Sequence, residues 1–163
     1  MPEAHNNLGA ILAGSRDAAG AERQFREAIR VQPDLAEARA SLANILALNH
    51  DLPQAAYYFE SAIRLKPDYA TARYDHARIL NEVGQNSEAE KQIEAALRKD
   101  PNLAEAHELS GILRVTRGDT AGAVRAFQEA ARIRPESSQL QLRLGAALWS
   151  TPEKSVTRYV ISS

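Results

Sequence analysis

Pro33, Pro67, Pro101 and Pro135 are evenly spaced, with no insertion or deletion between them. At a fixed offset before each proline lies Ala28, Ala62, Ala96 or Ala130. A bulky apolar residue precedes that (Phe25, Phe59, Ile93, Phe127), and another alanine precedes it in turn (Ala21, Ala55, Ala89, Ala123). The stretch 22–33, ERQFREAIRVQP, is the first copy of this pattern. A fixed period of this size marks a chain that stacks one small unit on itself, because a single unit cannot bury its own apolar face. Four full units, about 2–35, 36–69, 70–103 and 104–137, are followed by most of the first helix of a fifth. The repeat domain therefore spans 1–150, and 151–163 is left as a tail.

Each unit reads as two helices. In the first, apolar and small residues recur at helical spacing, as in Leu8, Gly9, Ile11 and Leu12 and again in Leu42, Ala43, Ile45 and Leu46. That stripe is about one helix face wide. A turn follows, with Gly84 and Gly118 in two of the units. Asp17, Asp51 and Asp119 are placed to cap the second helix by accepting a hydrogen bond from its free N–H groups. The second helix stops before the proline, which lacks an N–H and disfavours helical geometry in the residue ahead of it. Asp34, Asp68 and Asn102 are expected to cap the next unit, and Asp34 with Glu37 has capping-box spacing, as has Asn102 with Glu105. In the tail, Thr151-Pro152-Glu153 is a good helix start, and Val156, Tyr159 and Val160 give it a short apolar face. A short capping helix and an unstructured tail are the two readings of 151–163.

This spacing of small, aromatic and proline residues resembles the tetratricopeptide repeat, whose signature runs on the same period. The resemblance covers about residues 2–150. It implies an all-α, right-handed superhelical solenoid of antiparallel helix pairs. The first helices would line a concave groove that holds an extended peptide or a helix of a partner protein.

Chemistry of other kinds finds little support. His5 and His107 share one slot three repeats apart, so stacking separates them. There is no H-E-x-x-H pair and no phosphate-binding glycine loop, and no G-x-S-x-G elbow. With no cysteine there is neither a thiolate nucleophile nor a disulfide. A net charge of −1 gives no bulk attraction for nucleic acid, and no apolar run approaches the roughly 18 residues of a membrane span. No cofactor, metal or catalytic residue is expected. His76 stands where Leu8 and Leu42 stand in their repeats, and is read as a packed histidine bonded to a polar neighbour rather than a pH-sensitive group. The start MPEAHNNLG is not a signal peptide. It enters the first repeat so abruptly that the chain reads as a piece of a longer one, either cytoplasmic or periplasmic with its signal elsewhere.

Mapping the family's groove slots onto this chain singles out Asn7, Asn44, Tyr74, Arg78, Asn81, Glu105, Leu109, Ile112 and Trp149. The first half of that surface is small, polar and mildly acidic. The fourth repeat departs from the pattern: Ser110 and Arg114 take leucine slots, while Leu109 and Ile112 take polar ones. The expectation is an exposed apolar patch of Leu109, Ile112 and Val115 near Leu142 and Trp149, with a fully packed helix as the alternative. The clamp for C-terminal carboxylates found in chaperone-binding members needs basic and asparagine residues at slots that here hold Asn6, Ala10, Ser41 and Thr71, so it is rejected. The asparagine ladder of glycosyltransferase-associated members is met by Asn7 but not by Ser41, Asp75, Leu109 or Arg143. Three functions stay open: a groove-binding interaction module, a self-associating scaffold, and the substrate-recruiting arm of a larger enzyme.

Overall fold

The computed structural model describes residues 1–150, and the expected helix within 151–163 lies outside them. Nine helices and no strand occur among the described residues. Four first helices are 13 residues long: α1 (Pro2–Gly14), α3 (Ala36–Leu48), α5 (Ala70–Glu82) and α7 (Ala104–Thr116). Four second helices have 14: α2 (Ala18–Val31), α4 (Leu52–Leu65), α6 (Asn86–Lys99) and α8 (Thr120–Ile133). The ninth, α9 (Ser138–Trp149), has 12. The chain divides into two compact units, Met1–Gln92 and Ile93–Ser163.

In the first unit each helix packs on its sequence neighbour from α1 to α5, and first helices also touch across repeats, α1 on α3 and α3 on α5. Phe25 of α2 and Phe59 of α4 each form the centre of a core. Phe25 packs among Ala21, Leu42, Ile45, Leu46 and Ala55, and Phe59 among Ala40, Ala43, Ala62, Ala72 and Ile79. In the second unit Phe127 holds Ala123 and Ala147, with Ile112, Val124 and Leu144 packed around them. The facing slot must be small. A Cβ built on Gly9 would lie 2.7 Å from the Phe25 ring, and one on Gly111 only 2.5 Å from the Phe127 ring.

The second-helix caps fall where the sequence places them. Asp17 accepts from the Gly20 N–H at 2.8 Å, Asp51 from Gln54 at 3.2 Å and Asp119 from Gly122 at 2.8 Å. The Gly122 N–H, followed by the Arg114 guanidinium, holds the Asp119 carboxyl below the usual carboxylate range. Asp17→Ala is expected to lower stability by about 1 kcal/mol. Urea titration followed by circular dichroism would check it, and an unchanged midpoint would show that the cap contributes nothing.

The first-helix caps differ from expectation. Leu35, Tyr69 and Leu103 occupy the cap position, and none makes a side-chain cap bond. Asp34, Asp68 and Asn102 lie one residue too early, inside the proline turn. That turn is closed by backbone bonds such as Leu35 N–H to Gln32 O at 3.2 Å and Tyr69 N–H to Lys66 O at 3.1 Å. It is tied down from the following helix instead. Arg39 donates to Pro33 O at 2.9 Å, Arg73 to Pro67 O at 3.0 Å, and the His107 ring nitrogen lies 2.9 Å from Pro101 O. The capping boxes do not form either: Glu37 pairs with Lys66 at 2.7 Å and Glu105 with Arg134 at 2.9 Å. These two pairs occupy the same slots two repeats apart and join the ends of one helix pair. Both are solvent-exposed, so each contributes little to stability, and less in salt.

Candidate functional site

The groove slots lie on the first helices, because the second helices spend their apolar face on the core. In the first unit these slots form a hydrogen-bonded polar surface. Asn44 on α3 donates to Asp75 on α5 at 3.3 Å, and Arg78 reaches the other oxygen of Asp75 at 3.1 Å. The Arg78 guanidinium also stands over the Tyr74 ring, 6.0 Å from its centre, at the outer limit of a cation–π contact. One carboxylate thus fixes an amide from one repeat and a guanidinium from the next. Arg78 stays exposed, with Tyr74 and Asn81 half-buried on the same helix and Asn7 exposed on α1. An exposed arginine whose fork is already oriented loses less freedom on meeting a carboxylate or a backbone carbonyl.

The second unit is apolar on the corresponding slots, but only part of the set the sequence singles out is exposed. Leu109 is only 6% exposed, and Ile112 packs half-buried against the Phe127 cluster. They do not form an exposed patch. Burying a large aliphatic side chain is worth about 1.5–3 kcal/mol, so the displaced apolar residues of α7 are drawn into packing. The polar residues that replace leucine make their own bonds: Arg114 donates to Ser110 Oγ at 3.3 Å and to Asp119 at 2.8 Å. Beside them opens a crevice of about 260 Å³ lined by Leu97, His107, Ser110, Arg114, Gly122, Arg125, Ala126 and Glu129. No periodic pattern announces it, since it arises where two leucines are absent.

The exposed apolar residues of that set are Val115 (54%), Leu142 (75%) and Trp149 (58%). Val115 and Trp149 occupy one slot in successive repeats, and Leu142 stands two helical turns before Trp149. Val115 also lines a pocket of about 230 Å³, together with Thr120, Phe127, Arg143, Ala146, Ala147 and Ser150. Its rim carries an ion pair, Arg143 Nε to Glu108 Oε1 at 2.9 Å. Glu105 is engaged by Arg134. Among the described residues no three His, Cys, Asp or Glu side chains gather as metal ligands would, and no helix is long and apolar enough to cross a membrane.

His76 is packed, as expected, but not bonded. It is 3% exposed and stacks on Phe59 with ring centres 6.4 Å apart. Neither ring nitrogen has a hydrogen-bond partner. The nearest carboxylate, that of exposed Glu60, is 3.9 Å away, beyond hydrogen-bond reach. Burial lowers the imidazole pKa below its ordinary value; Glu60 and Glu88 oppose that shift, and Arg73 adds to it. The other histidines serve the scaffold. His5 meets Gln24 at 2.8 Å, His107 meets the proline turn, and His50 occupies a turn at φ +60°.

Models of the tetratricopeptide repeat match residues 2–70 and 109–154, and another such model matches 46–112. No curated protein matches the sequence. Among solved structures, MamA from Desulfovibrio magneticus RS-1 is similar at a TM-score of 0.82 and 20% identity, over 99% of this chain and 91% of that one. PilF of Pseudomonas aeruginosa is similar at 0.85 and 19%, over 91% of this chain and 68% of that one. A Thermobaculum terrenum O-GlcNAc transferase is similar at 0.75 and 21%, over 80% of this chain and 26% of that one. Likeness at such identities speaks for the fold, an all-α solenoid of antiparallel helix pairs. With a repeat model spanning well over half of its residues, and with that fold, the chain belongs to the tetratricopeptide repeat family.

Proposed function

We propose that this chain is a protein-interaction module that takes an extended peptide or a helix of a partner on its first-helix slots and carries out no catalysis of its own. The observation that supports this most is the exposure of Val115, Leu142 and Trp149, with Val115 also lining the pocket at Phe127. Large apolar side chains left in water beside a pocket with a charged rim are what an interface uses as anchors, and tryptophan is prominent among those that dominate binding energy. The oriented Arg78, with Tyr74 and Asn44, adds a second, polar contact surface. A segment that suits the second-unit surface carries a bulky apolar residue for the pocket, and one that suits the first-unit surface carries a carboxylate or free carbonyls for Arg78.

The test is a peptide-display selection against the folded protein, followed by calorimetric titration of the selected peptides. Trp149→Ala and Val115→Glu should each weaken binding at least tenfold, about 1.4 kcal/mol or more. For peptides selected on the Arg78 surface, Arg78→Ala should weaken binding in a way that fades in salt. Arg132→Ala, on an exposed stretch of α8, serves as the control. Ile112→Glu is unsuitable, because it buries a charge beside Phe127. Peptides that bind all of these variants as they bind the native chain would overturn the reading.

A further inference from the structure

The crevice of about 260 Å³ beside α7 lies where three side chains that fill space in another repeat are absent together. In the second repeat Leu42 and Leu46 are buried in the Phe25 cluster, and Tyr58 packs against it. The same three slots hold Ser110, Arg114 and Ala126 in the fourth repeat. The slot of Ala126 elsewhere also makes a bond. Gln24 meets His5 at 2.8 Å, and Gln92 accepts from Arg73 at 2.8 Å. His107 stands where His5 and Arg73 stand, but the partner's slot holds an alanine. Burying a leucine is worth about 1.5–3 kcal/mol, so the fourth repeat forgoes stability at this point.

What lines the opening instead is rich in donors. Arg114 on α7 and Arg125 on α8 border it, with Ser110 and His107. Arg114 is held in place by its bonds from Nε to Ser110 Oγ and from Nη1 to Asp119, and neither uses Nη2. Gly122 makes room for that pose, since a Cβ there would lie 2.6 Å from Arg114 Nη1. The Ser110 hydroxyl accepts from Arg114 and keeps its own hydrogen to donate. Arg125 is exposed, with no ion-pair or hydrogen-bond partner among the described residues. The acids at the edge are each taken: Asp119 by Arg114 and by Arg117 at 3.5 Å, Glu129 by Arg132 at 2.9 Å. The charge left over is positive.

We infer that this crevice binds a phosphate group, either the free ion or a monoester. A phosphate monoester brings a charge of about −1.5 to −2 and three acceptor oxygens. Those match two guanidiniums and a hydroxyl that converge from two helices. A carboxylate offers a single charge on a flat pair of oxygens, which one arginine fork already satisfies. The volume limits the occupant as well. It falls below the roughly 300–1,000 Å³ of pockets that enclose a drug-sized molecule, so a small group enters rather than a cofactor. No residue of the crevice belongs to the Val115 pocket or to the Arg78 surface, so this site and the groove reading stand or fall separately.

Titration of the full chain with sodium phosphate tests the inference, at an ionic strength held constant with sodium chloride and followed by amide chemical shifts. Saturable shifts are expected at Ser110, Arg114, Arg125 and Ala126. A second titration with N-acetyl-phosphoserine methylamide separates the sources: binding at least as tight as that of inorganic phosphate assigns the site to a monoester, and exclusion assigns it to the free ion. Ala126→Gln refills the crevice while leaving every donor in place. Arg114→Leu restores the residue of the other three repeats, Leu12, Leu46 and Leu80. Each of these, and Arg125→Gln, should weaken phosphate binding about tenfold or more with helical circular dichroism unchanged. Arg64→Gln, at an exposed site on α4, should leave binding as it is. A chain that gives no saturable shift with either probe overturns the inference, as does binding that survives Ala126→Gln. Acetate that binds as tightly as phosphate overturns it as well, because the crevice then does not select for phosphate.

Discussion

Phe59→Ala is expected to destabilise the protein by about 3–5 kcal/mol, the largest effect of any single truncation here. Phe59 is fully buried, and its surroundings are Ala40, Ala43, Ala62, Ala72 and Ile79. Most of those side chains are methyl groups on helical backbone. They cannot swing into the space a lost ring leaves, so the cavity persists and its cost adds to the lost transfer free energy. His76, stacked on the same ring, would lose its packing partner as well. Urea unfolding by circular dichroism gives the magnitude, and hydrogen exchange gives the location. Repeat proteins are stabilised by nearest-neighbour terms, so protection should fall first in α3, α4 and α5. A loss below about 1 kcal/mol would mean that the alanine shell collapses around the missing ring.

His76→Leu should act in the opposite direction. A buried polar group without a partner costs roughly 1–3 kcal/mol, and leucine is the residue found at the same slot in the first two repeats, at Leu8 and Leu42. The variant should therefore gain on the order of 1 kcal/mol at neutral pH. Its advantage should grow in acid. The folded chain holds the His76 imidazole below its ordinary pKa, so the unfolded chain binds the proton more readily. Stability then rises with pH wherever the unfolded chain is the better proton acceptor. The native contribution is intact above the unfolded value of about 6.5 and is lost progressively as pH falls below it. The charged groups facing the ring are Glu60 on α4, Arg73 on α5 and Glu88 on α6, and the two carboxylates soften the effect without cancelling it. Urea midpoints at pH 8 and pH 5.5 decide the matter: a native-to-variant gap equal at both values would show that His76 is not the titrating group.

Much of the fold is legible in the sequence because its determinants are local and repeated. Ala28 and Phe25 mean the same thing each time they recur, and Asp17, Asp51 and Asp119 cap because a carboxylate three residues ahead of a free N–H has little else to do. The errors arise where a residue's role depends on a neighbour. Asp34 looks like a cap until the proline turn is seen to use both Pro33 and Asp34, which moves the helix start to Ala36. Leu109 looks exposed when compared with Asn7 and Ser41 in its slot, but packing decides whether a leucine meets water, and here it does not. Of the candidate groove, Asn7, Asn44, Tyr74, Arg78 and Asn81 sit on the first helices as the pattern implies. The bonds of Asn44 and Arg78 to Asp75 depend on distances between repeats that spacing alone does not supply. The turn residue of each complete helix pair, held at positive φ, is hidden in the sequence because Arg16 and His50 disguise what Gly84 and Gly118 advertise.

The proline turns have a consequence for how such a protein can change over time. Leu35, Tyr69 and Leu103 stand at equivalent points, each followed by an alanine that opens the next helix. Joining residue 35 directly to residue 70 would reproduce a junction the chain already makes, with Arg73 positioned over the proline carbonyl as Arg39 is now. Loss or duplication of one repeat length therefore leaves a chain with no foreign seam. Length in this architecture is a quantity that inheritance can adjust in whole steps, while the contacts within each step stay as they were.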